Sequence, residues 1–579
     1  VVTTAETLAE RSDWASERAR SAFTETLAKA FPSGLALLAV GGFGRRELFP
    51  FSDVDLLLLV EAATAAEAGR DAISHFLRLL WDAGLRVAHS VHTPRECATL
   101  HENNIELNIS LLDWRLLAGD ELLASAMAGL LPRFFHVHGP ELSRHLVRLT
   151  RARHAKFQNS IFHLEPNVKE APGGLRDLHA IHWLGRLGRE REQNLDPALA
   201  AARDFLFDLR LRLHRESGRD NNVLSFDAQE NFSDRPSETM RQYYRHARAI
   251  HRAVLQLMDA AEARDNALLA QFRDWRSRVS TTEFTVSRDR IYLRSPQQLQ
   301  ADPLMLVRLF QFVGRHGLRL SQDADRRVSR LLASGPSFDL RWPHWRELLE
   351  TPHAILALRA MQETEALGAF LPEWRHIECL VVRDFYHRYT VDEHTLVAIQ
   401  TLDSLPDRRF LDLRAEVDES MPQLRFALML HDVGKGTGHE HVGESLRVAE
   451  LVMARLEAPE EDRATVNFLI GHHLDLSSAM SGRDLDDQAT ARDLAARIGT
   501  LERLRLLTLL TYADISAVNP TAMTPWRIEL LWRVYLTAHK ELTRELETER
   551  ISEPAARTPE MAEFLEGLPT RSLRTHSEA

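Results

Sequence analysis

Two cysteines, Cys97 and Cys379, are all that this chain of 579 residues carries. That excludes a disulfide framework and a cysteine-based zinc site, and it suits a reducing cytoplasm. A surplus of positive charge is missing as well: 72 Lys and Arg stand against 83 Asp and Glu, a net charge of −11 with a pI near 6.2. The phosphate backbone of a nucleic acid calls for a basic face, so this balance points to protein or small-molecule substrates. No apolar run approaches the length of a membrane span. The N-terminus places Glu6, Glu10 and Asp13 where a secretory signal needs a basic start and an apolar core, so neither export nor a membrane span is expected. No internal repeat is visible. What the chain does have is 44% hydrophobic and 27% charged residues, the composition of a soluble protein long enough for about three or four domains.

Residues 1–34 carry the helical periodicity of Leu8, Trp14, Ala15, Ala22, Phe23 and Leu27. An apolar run, Leu35 to Val40, precedes two adjacent glycines, and a second, Leu56 to Val60, follows a pair of aspartates. The spacing predicts a helix over Phe76 to Trp81, a turn at Gly84 and a strand over Val87 to Val91, extending a small mixed sheet. From Leu142 to about Gln271 the pattern is helical, interrupted by Glu165-Pro166-Asn167 and Pro172-Gly173-Gly174. A hairpin is expected near 279–293, where Thr-Glu-Phe-Thr-Val and Ile-Tyr-Leu flank a polar turn. Helical periodicity returns beyond Pro303 and lasts to about Leu546, after which Pro554, Pro559 and Pro569 announce a loose tail. The fold class is α+β and mostly helical.

The run Gly41-Gly42-Phe43-Gly44-Arg45-Arg46-Glu47, followed by Ser52-Asp53-Val54-Asp55, is the most informative stretch. At the glycines side chains vanish, and backbone N–H groups can approach phosphate oxygens. Asp53 and Asp55 are two apart at the start of a strand, so both point to one face. Two carboxylates there can hold Mg²⁺ against the phosphates of a nucleoside triphosphate. Gly41, Gly42, Arg45 and Ser52 are the expected phosphate contacts. The motif resembles the nucleotidyltransferase superfamily that includes DNA polymerase beta. The longer stretch, through Phe49-Pro50-Phe51-Ser52-Asp53-Val54-Asp55-Leu56, is similar to the version in the bifunctional uridylyltransferase/uridylyl-removing family of nitrogen regulation.

His394 lies in Tyr389-Thr-Val-Asp-Glu-His394, His431-Asp432-Val433-Gly434-Lys435 closes an apolar helix, and Asp514 follows in Thr511-Tyr-Ala-Asp514. This order resembles the HD phosphohydrolase family and implies His394, His431, Asp432 and Asp514 as metal ligands. Imidazole with carboxylate suits Zn²⁺, Mn²⁺ or Fe²⁺. Such a metal lowers the pKa of bound water toward about 7 in zinc sites, making hydroxide for attack on a phosphodiester. His441 and the pair His472-His473 are candidates for a second metal or for contact with the departing phosphate. Lys435 is a helix-end cation or a phosphate contact.

Leu164-Glu-Pro-Asn-Val-Lys-Glu-Ala-Pro-Gly-Gly-Leu-Arg-Asp177, Tyr243-Tyr-Arg-His-Ala-Arg-Ala-Ile-His251 and Tyr389 to His394 extend the resemblance to the uridylyltransferase family over nearly the whole chain. It implies a two-way cytoplasmic enzyme: UMP from UTP is placed on a tyrosine of the signalling protein PII, and the HD domain removes it. The implied division is a nucleotidyltransferase domain over 1–140, a helical linker domain over 141–345 that includes the hairpin, an all-α HD phosphohydrolase domain over 346–546 and a tail over 547–579. Lys169, Arg176 and Asp177 are candidates to orient a phosphate or a loop of the partner.

Two departures stand out. Polymerase-beta-type sites add a third carboxylate from a neighbouring strand, yet the Val87 to Val91 strand carries His89, leaving Glu106 and Asp113 as substitutes. The family also continues into paired ACT domains that sense glutamine. This chain starts at Val1 and ends at Ala579 in a stretch resembling the linker before those domains, so a trimmed chain or fragment without glutamine control is expected. A nucleic-acid nucleotidyltransferase with an HD accessory domain, and a nucleotide-sensing module with one degenerate site, are the competing readings.

Overall fold

The computed structural model describes residues 3–62, 69–100, 105–188, 196–265, 280–287, 289–295, 297–383, 387–482 and 488–552. The chain divides into two units, Val1–Ser280 and Thr281–Ala579.

In the first unit the apolar runs flanking the glycines become β1 (Leu35–Ala39) and β2 (Val54–Val60). They pair antiparallel with Leu38 opposite Leu57, β3 (Val87–His92) joins β2 in parallel, and β4 (Arg115–Gly119) joins β1 antiparallel. The sheet order is β3-β2-β1-β4. Continuous apolar sequence in β1 and β2 calls for cover on both faces. One face, with Leu35, Leu37, Leu56 and Leu58, packs on Ala15 and Ala19 of α1 (Thr4–Ala22) and on Phe76 and Leu80 of α2 (Arg70–Asp82). Four long helices follow among the described residues, α3 (Glu121–Lys156), α4 (Leu175–Leu187), α5 (Pro197–Ser217) and α6 (Pro236–Asp265). Met127 and Phe134 of α3, Leu184 of α4 and Val254 of α6 close the other face over Leu38, Leu57 and Leu59.

Helix α1 starts at a capping box in which Thr3 and Glu6 satisfy each other's backbone N–H groups. Asp120 caps α3, accepting from the N–H groups of Leu122 and Leu123, and also accepts from Gly34 N–H at 3.1 Å, so one carboxylate ties the long helix to the entry of β1. Helix α3 runs through residue 140 without a break. The boundary expected there is therefore no division of the core, because α4 and α6 complete the apolar cover of the same sheet.

The second unit opens with the expected hairpin, β5 (Phe284–Ser287) and β6 (Arg290–Leu293), to which β7 (Arg319–Leu320) adds a third strand. The hairpin belongs with this unit and not with the helical segment before it. The rest is helical and includes α7 (Val391–Asp403), α8 (Met421–Leu430), α9 (His441–Arg455), α10 (Glu460–His472), α11 (Leu501–Val518) and α12 (Pro525–Ser552). Every residue of α8 is buried, as a helix apolar on all sides requires. Its one arginine, Arg425, is paired with Asp403 at 2.7 Å. The tail expected over 547–579 lies, from residue 553 on, outside the described residues. No described helix is long and apolar enough to cross a membrane.

The glycine turn separates two steric demands. A Cβ on Gly44 would lie 1.9 Å from the Asp113 carbonyl oxygen, whereas one on Gly42 would meet nothing nearer than 3.8 Å. Gly44→Ala is expected to destabilise the first unit by about 1–3 kcal/mol, the usual range for overpacking. Gly42→Ala should stay within about 0.5 kcal/mol. Scanning calorimetry of both variants checks this; equal shifts in unfolding temperature would contradict it.

Candidate active sites

The glycine turn folds back on the aspartates. Gly41 takes φ +58°, and a Cβ there would come within 3.3 Å of Asp55 Oδ2, so the turn has room for the carboxylate only because the side chain is absent. Val40 N–H donates to the Asp55 carbonyl at 3.1 Å, and Glu47 N–H to the Gly42 carbonyl at 2.8 Å, which pins both ends of the turn. Asp55 lies on the Leu57 face of β2. Asp53, just before the strand, is half exposed and meets Arg86 at 3.1 Å. Ser52 Oγ accepts from Arg210 at 3.1 Å. The turn, the serine and both carboxylates expected from the motif are thus brought together.

Facing them are cations from the helical segment. Asn167 Oδ1 accepts from the N–H groups of Lys169 and Glu170, and Gly173, at φ +75°, lies so close to α6 that a Cβ would be 2.4 Å from the Ala247 carbonyl oxygen. This rigid loop presents Lys169 and Arg176. Burial raises the Asp55 pKa and Asp53 raises it further, while Arg176, Lys169 and Arg45 oppose them. Burial, then Arg210 and Arg176, lower the Lys169 pKa; burial chiefly brings Arg210 down to about 10. Arg176 also meets Glu170 at 3.4 Å and Arg210 meets Asp220 at 3.5 Å, so three clustered cations share two acids, an arrangement suited to an anion. Arg210, on α5, lies 4.2 Å from the Phe49 ring centroid and is a residue the sequence reading missed. Its signal is a charge on the buried face of α5, four residues after Leu206 and four before His214, both buried.

Three expectations are corrected here. Asp177 is buried and accepts from Gly173 N–H at 2.7 Å and His154 Nε2 at 2.8 Å while pairing with Arg153; it braces the loop and does not face a ligand. Arg45 turns to Glu47 at 2.8 Å and Asp113 at 2.7 Å. Burial would lower its pKa, but those two carboxylates outweigh burial and raise it, so it is a brace under the turn. Asp113 also receives His182 at 2.8 Å and Trp183 Nε1 at 2.7 Å, which leaves it no place as a third metal-binding carboxylate. Glu106 is exposed on the short helix Ile105–Ser110. On β3, Ala88 stands opposite Asp55 and His89 opposite Leu56, on the other face. Among the described residues no third His, Cys or acid joins Asp53 and Asp55 within ligand reach.

In the second unit α7, the end of α8 and α11 converge on one point. His394 Nε2 lies 2.8 Å from Asp514 Oδ1 and 3.9 Å from Asp432 Oδ2; His431 Nε2 lies 3.3 Å from Asp432 Oδ2 and 3.6 Å from Asp514 Oδ1. Two donors each about 2.1 Å from one ion sit about 3 Å apart when adjacent in its coordination shell, so this spacing fits a metal. His431 Nδ1 donates to the Leu428 carbonyl at 2.7 Å, and its buried Nε2 makes no well-aligned hydrogen bond. A carbonyl that fixes the tautomer and leaves the other nitrogen toward the site is the usual support of a metal-binding histidine. Burial alone would lower the His431 pKa, but Asp432 and Asp514 push it up to about 9. Both carboxylates are in turn held far below their ordinary range despite burial, Asp432 by His431 and Lys435 and Asp514 by His394 and His431. Lys435 Nζ is 2.7 Å from Asp432. His473 and His441 bring ligand atoms within 4.8 Å of one another and of Asp432, whereas His472 turns to Asp475 at 3.0 Å.

One chain thus carries a sheet with a glycine turn and paired carboxylates and, in its second unit, a helical His/Asp cluster with the spacing of metal ligands. Residues 143–258 match the family described as GlnD PII-uridylyltransferase. The bifunctional uridylyltransferase/uridylyl-removing enzyme of Ruegeria pomeroyi is 33% identical over 553 residues, 89% of this chain and 60% of the relative. That of Cereibacter sphaeroides is 32% identical over 93% of this chain and 62% of the relative, and that of Azospirillum brasilense 30% identical over 89% and 59%. By sequence, then, the chain is a relative of the bifunctional uridylyltransferase/uridylyl-removing enzymes, and it spans about 60% of the length of those it matches. A CCA-adding enzyme in complex with CTP superposes with a TM-score of 0.30 at 14% identity over 50% of this chain and 60% of that one, a likeness too slight to bear on either site.

The proton that His431 holds below pH about 9 must leave before its Nε2 can bind a metal. Apparent affinity at this site is therefore expected to fall about tenfold for each pH unit below about 9 and to level off above it. Calorimetric titration with Mn²⁺ at several pH values measures this; an affinity that stays flat between about pH 6.5 and 8.5 would contradict it.

Proposed function

We propose that this chain transfers UMP from UTP to a tyrosine hydroxyl of a PII signalling protein at the first site and hydrolyses the uridylyl-tyrosine at the second. The observation that carries the reading is the apposition of Asp53 and Asp55 to a glycine turn and to Lys169, Arg176 and Arg210, in a chain related along most of its length to enzymes named for both reactions.

At the first site Asp53 and Asp55 offer the oxygen ligands that suit Mg²⁺, and Arg86 must release Asp53 for this. When bound, Mg²⁺ would neutralise charge on the transferring phosphate. The Gly41-Gly42 backbone and Ser52 cradle the triphosphate. The tyrosine oxygen attacks the α-phosphorus and loses its proton as the bond to the β-phosphate oxygen breaks, and Lys169, Arg176 and Arg210 receive the charge of the departing pyrophosphate. At the second site His394, His431, Asp432 and Asp514 would hold a transition metal such as Mn²⁺, Fe²⁺ or Zn²⁺, which supplies hydroxide at neutral pH. Asp514 and Asp432 fix the two imidazoles. Lys435 balances Asp432 and stands ready for the phosphate. Water adds to phosphorus, the bond to the tyrosine oxygen breaks, and UMP and free tyrosine result. A net charge of −11 disfavours nucleic acid as the substrate, and two free, buried cysteines suit the cytoplasm.

Incubating the chain with PII, UTP and Mg²⁺ and weighing PII by intact mass tests the transfer directly; unmodified PII at all enzyme levels would reject it. Asp53→Asn with Asp55→Asn is expected to reduce transfer about a hundredfold or more while removal persists, and His431→Ala with Asp432→Ala to do the reverse. Lys169→Met should raise the KM for UTP about tenfold, the loss of one charge-assisted contact. Loss of both activities in either double variant of intact fold would refute separate sites.

A further inference from the structure

Beside Asp53, at the end of α2 and the start of β3, lies a cleft of about 440 Å³ lined by Asp53, Trp81, Gly84, Leu85, Arg86 and Val87. Ile73, Phe76, Leu77 and Leu80 form the buried face of α2, and Trp81, one residue further round the helix, stands 54% exposed. An indole left in water next to a carboxylate of the site is a surface suited to covering by a partner. Gly84 turns the chain at φ +80°, and a Cβ there would meet nothing within 4 Å, so the turn crowds nothing. The main chain around the cleft is already committed to the fold. Gly84 N–H donates to the Trp81 carbonyl at 2.9 Å and Leu85 N–H to the Leu80 carbonyl at 3.0 Å, while the Arg86 carbonyl accepts from Val54 N–H at 2.7 Å. Arg86 is the cation of this lining: its Nε meets Asp53 Oδ1 at 3.1 Å, and its guanidinium donates to the Phe51 carbonyl at 3.2 Å. Lys169, Arg176 and Arg210 are not among the lining residues.

We infer, on the transfer reading above, that this cleft receives the acceptor tyrosine of the protein substrate, its ring against Trp81 and its hydroxyl at the end closed by Asp53 and Arg86. Displacement at the α-phosphorus runs in line, with attacking and leaving oxygens on opposite sides. Lys169, Arg176 and Arg210 receive the pyrophosphate, so the nucleophile needs an approach that those side chains do not line. The cleft reaches Asp53 and is lined by none of the three. Its chemistry suits a phenol better than a nucleobase. A pyrimidine is read through hydrogen bonds to its Watson–Crick edge, and here the N–H groups of Gly84 and Leu85 and the carbonyl of Arg86 already have partners. A phenol asks for an aromatic or apolar wall and one polar end. Trp81, Leu85 and Val87 supply the wall, Asp53 and Arg86 the end. As the bond from the tyrosine oxygen to phosphorus forms and the bond to pyrophosphate breaks, the phenolic proton passes to solvent at the open rim. Arg86, a permanent cation, favours the negative charge that grows on that oxygen.

Calorimetric titration of the full chain with PII and, separately, with UTP and Mg²⁺ distinguishes the occupants, and steady-state kinetics gives the matching pair of KM values. Trp81→Ala should weaken PII binding and raise the KM for PII about tenfold, the cost of truncating an aromatic anchor at an interface. Affinity and KM for UTP should stay as in the parent, as should circular dichroism and unfolding temperature. Trp81→Phe, which keeps an aromatic face, should recover most of the PII affinity. Loss of UTP affinity in Trp81→Ala with PII binding intact would make the cleft a nucleobase pocket and overturn the inference, and so would unchanged affinity for both. A parent chain that neither binds nor modifies PII would reject the transfer reading and this inference with it. A parent that modifies PII with a KM that Trp81→Ala leaves unaltered would reject the cleft alone.

Discussion

A carboxylate half-buried beside a second carboxylate is the constraint around which the first unit is arranged. Burial and Asp53 both make the charge on Asp55 costly. That charge is kept by cations delivered from outside the sheet, Lys169 from the loop after α3 and Arg176 from the start of α4. Burial and neighbouring cations in turn lower the pKa of Lys169, and burial chiefly lowers that of Arg210. Neither set is at ease without a ligand. Under the proposed transfer reaction a divalent ion would answer the carboxylates and a polyphosphate the cations, so a metal-nucleotide complex would relieve both. The braces beneath make this possible: Asp177 fixes the loop that carries the cations, and Arg45 with Asp113 fixes the glycine turn.

The second unit meets a related problem in another way. Asp432 is buried and Asp514 largely so, and the counter-charges are imidazoles and one lysine within 4 Å. Because His431 is anchored through Nδ1 to the Leu428 carbonyl, a proton or a metal can exchange at its Nε2 without the ring having to turn. The scaffold is correspondingly stiff, with α8 enclosed on every side.

Much of this was legible in the order of residues. Glycine turns, a period-two acid pair and apolar runs are local, and they foretold β1, β2 and the placement of Asp53 and Asp55 side by side. His394, His431, Asp432 and Asp514 were legible through family resemblance even though 120 residues separate the first from the last of a contacting pair. What was missed is what depends on side chains turning inward. Arg45 looks, in sequence, as suited to phosphate as Arg210 does; only the positions of Glu47 and Asp113 turn the first into a brace, and only Ser52 and Phe49 draw the second to the site. Asp113 failed as a third carboxylate for the same reason, since Arg45, His182 and Trp183 already surround it. The division at 140 misled because α3 is polar enough at its surface and continuous enough in period to hide the fact that the core does not stop there.

That continuity limits how this unit can be taken apart. Leu38, Leu57 and Leu59 are covered by α3, α4 and α6 together, so the sheet that bears the aspartates has no finished surface of its own on that side. A gene segment encoding only the sheet would specify a protein with an open apolar wall and with Asp55 lacking Lys169 and Arg176. The helical segment is thus not a spacer that recombination could exchange for another of equal length. It completes the wall over the sheet and supplies the cations beside Asp55, so the two parts can be inherited only as one piece.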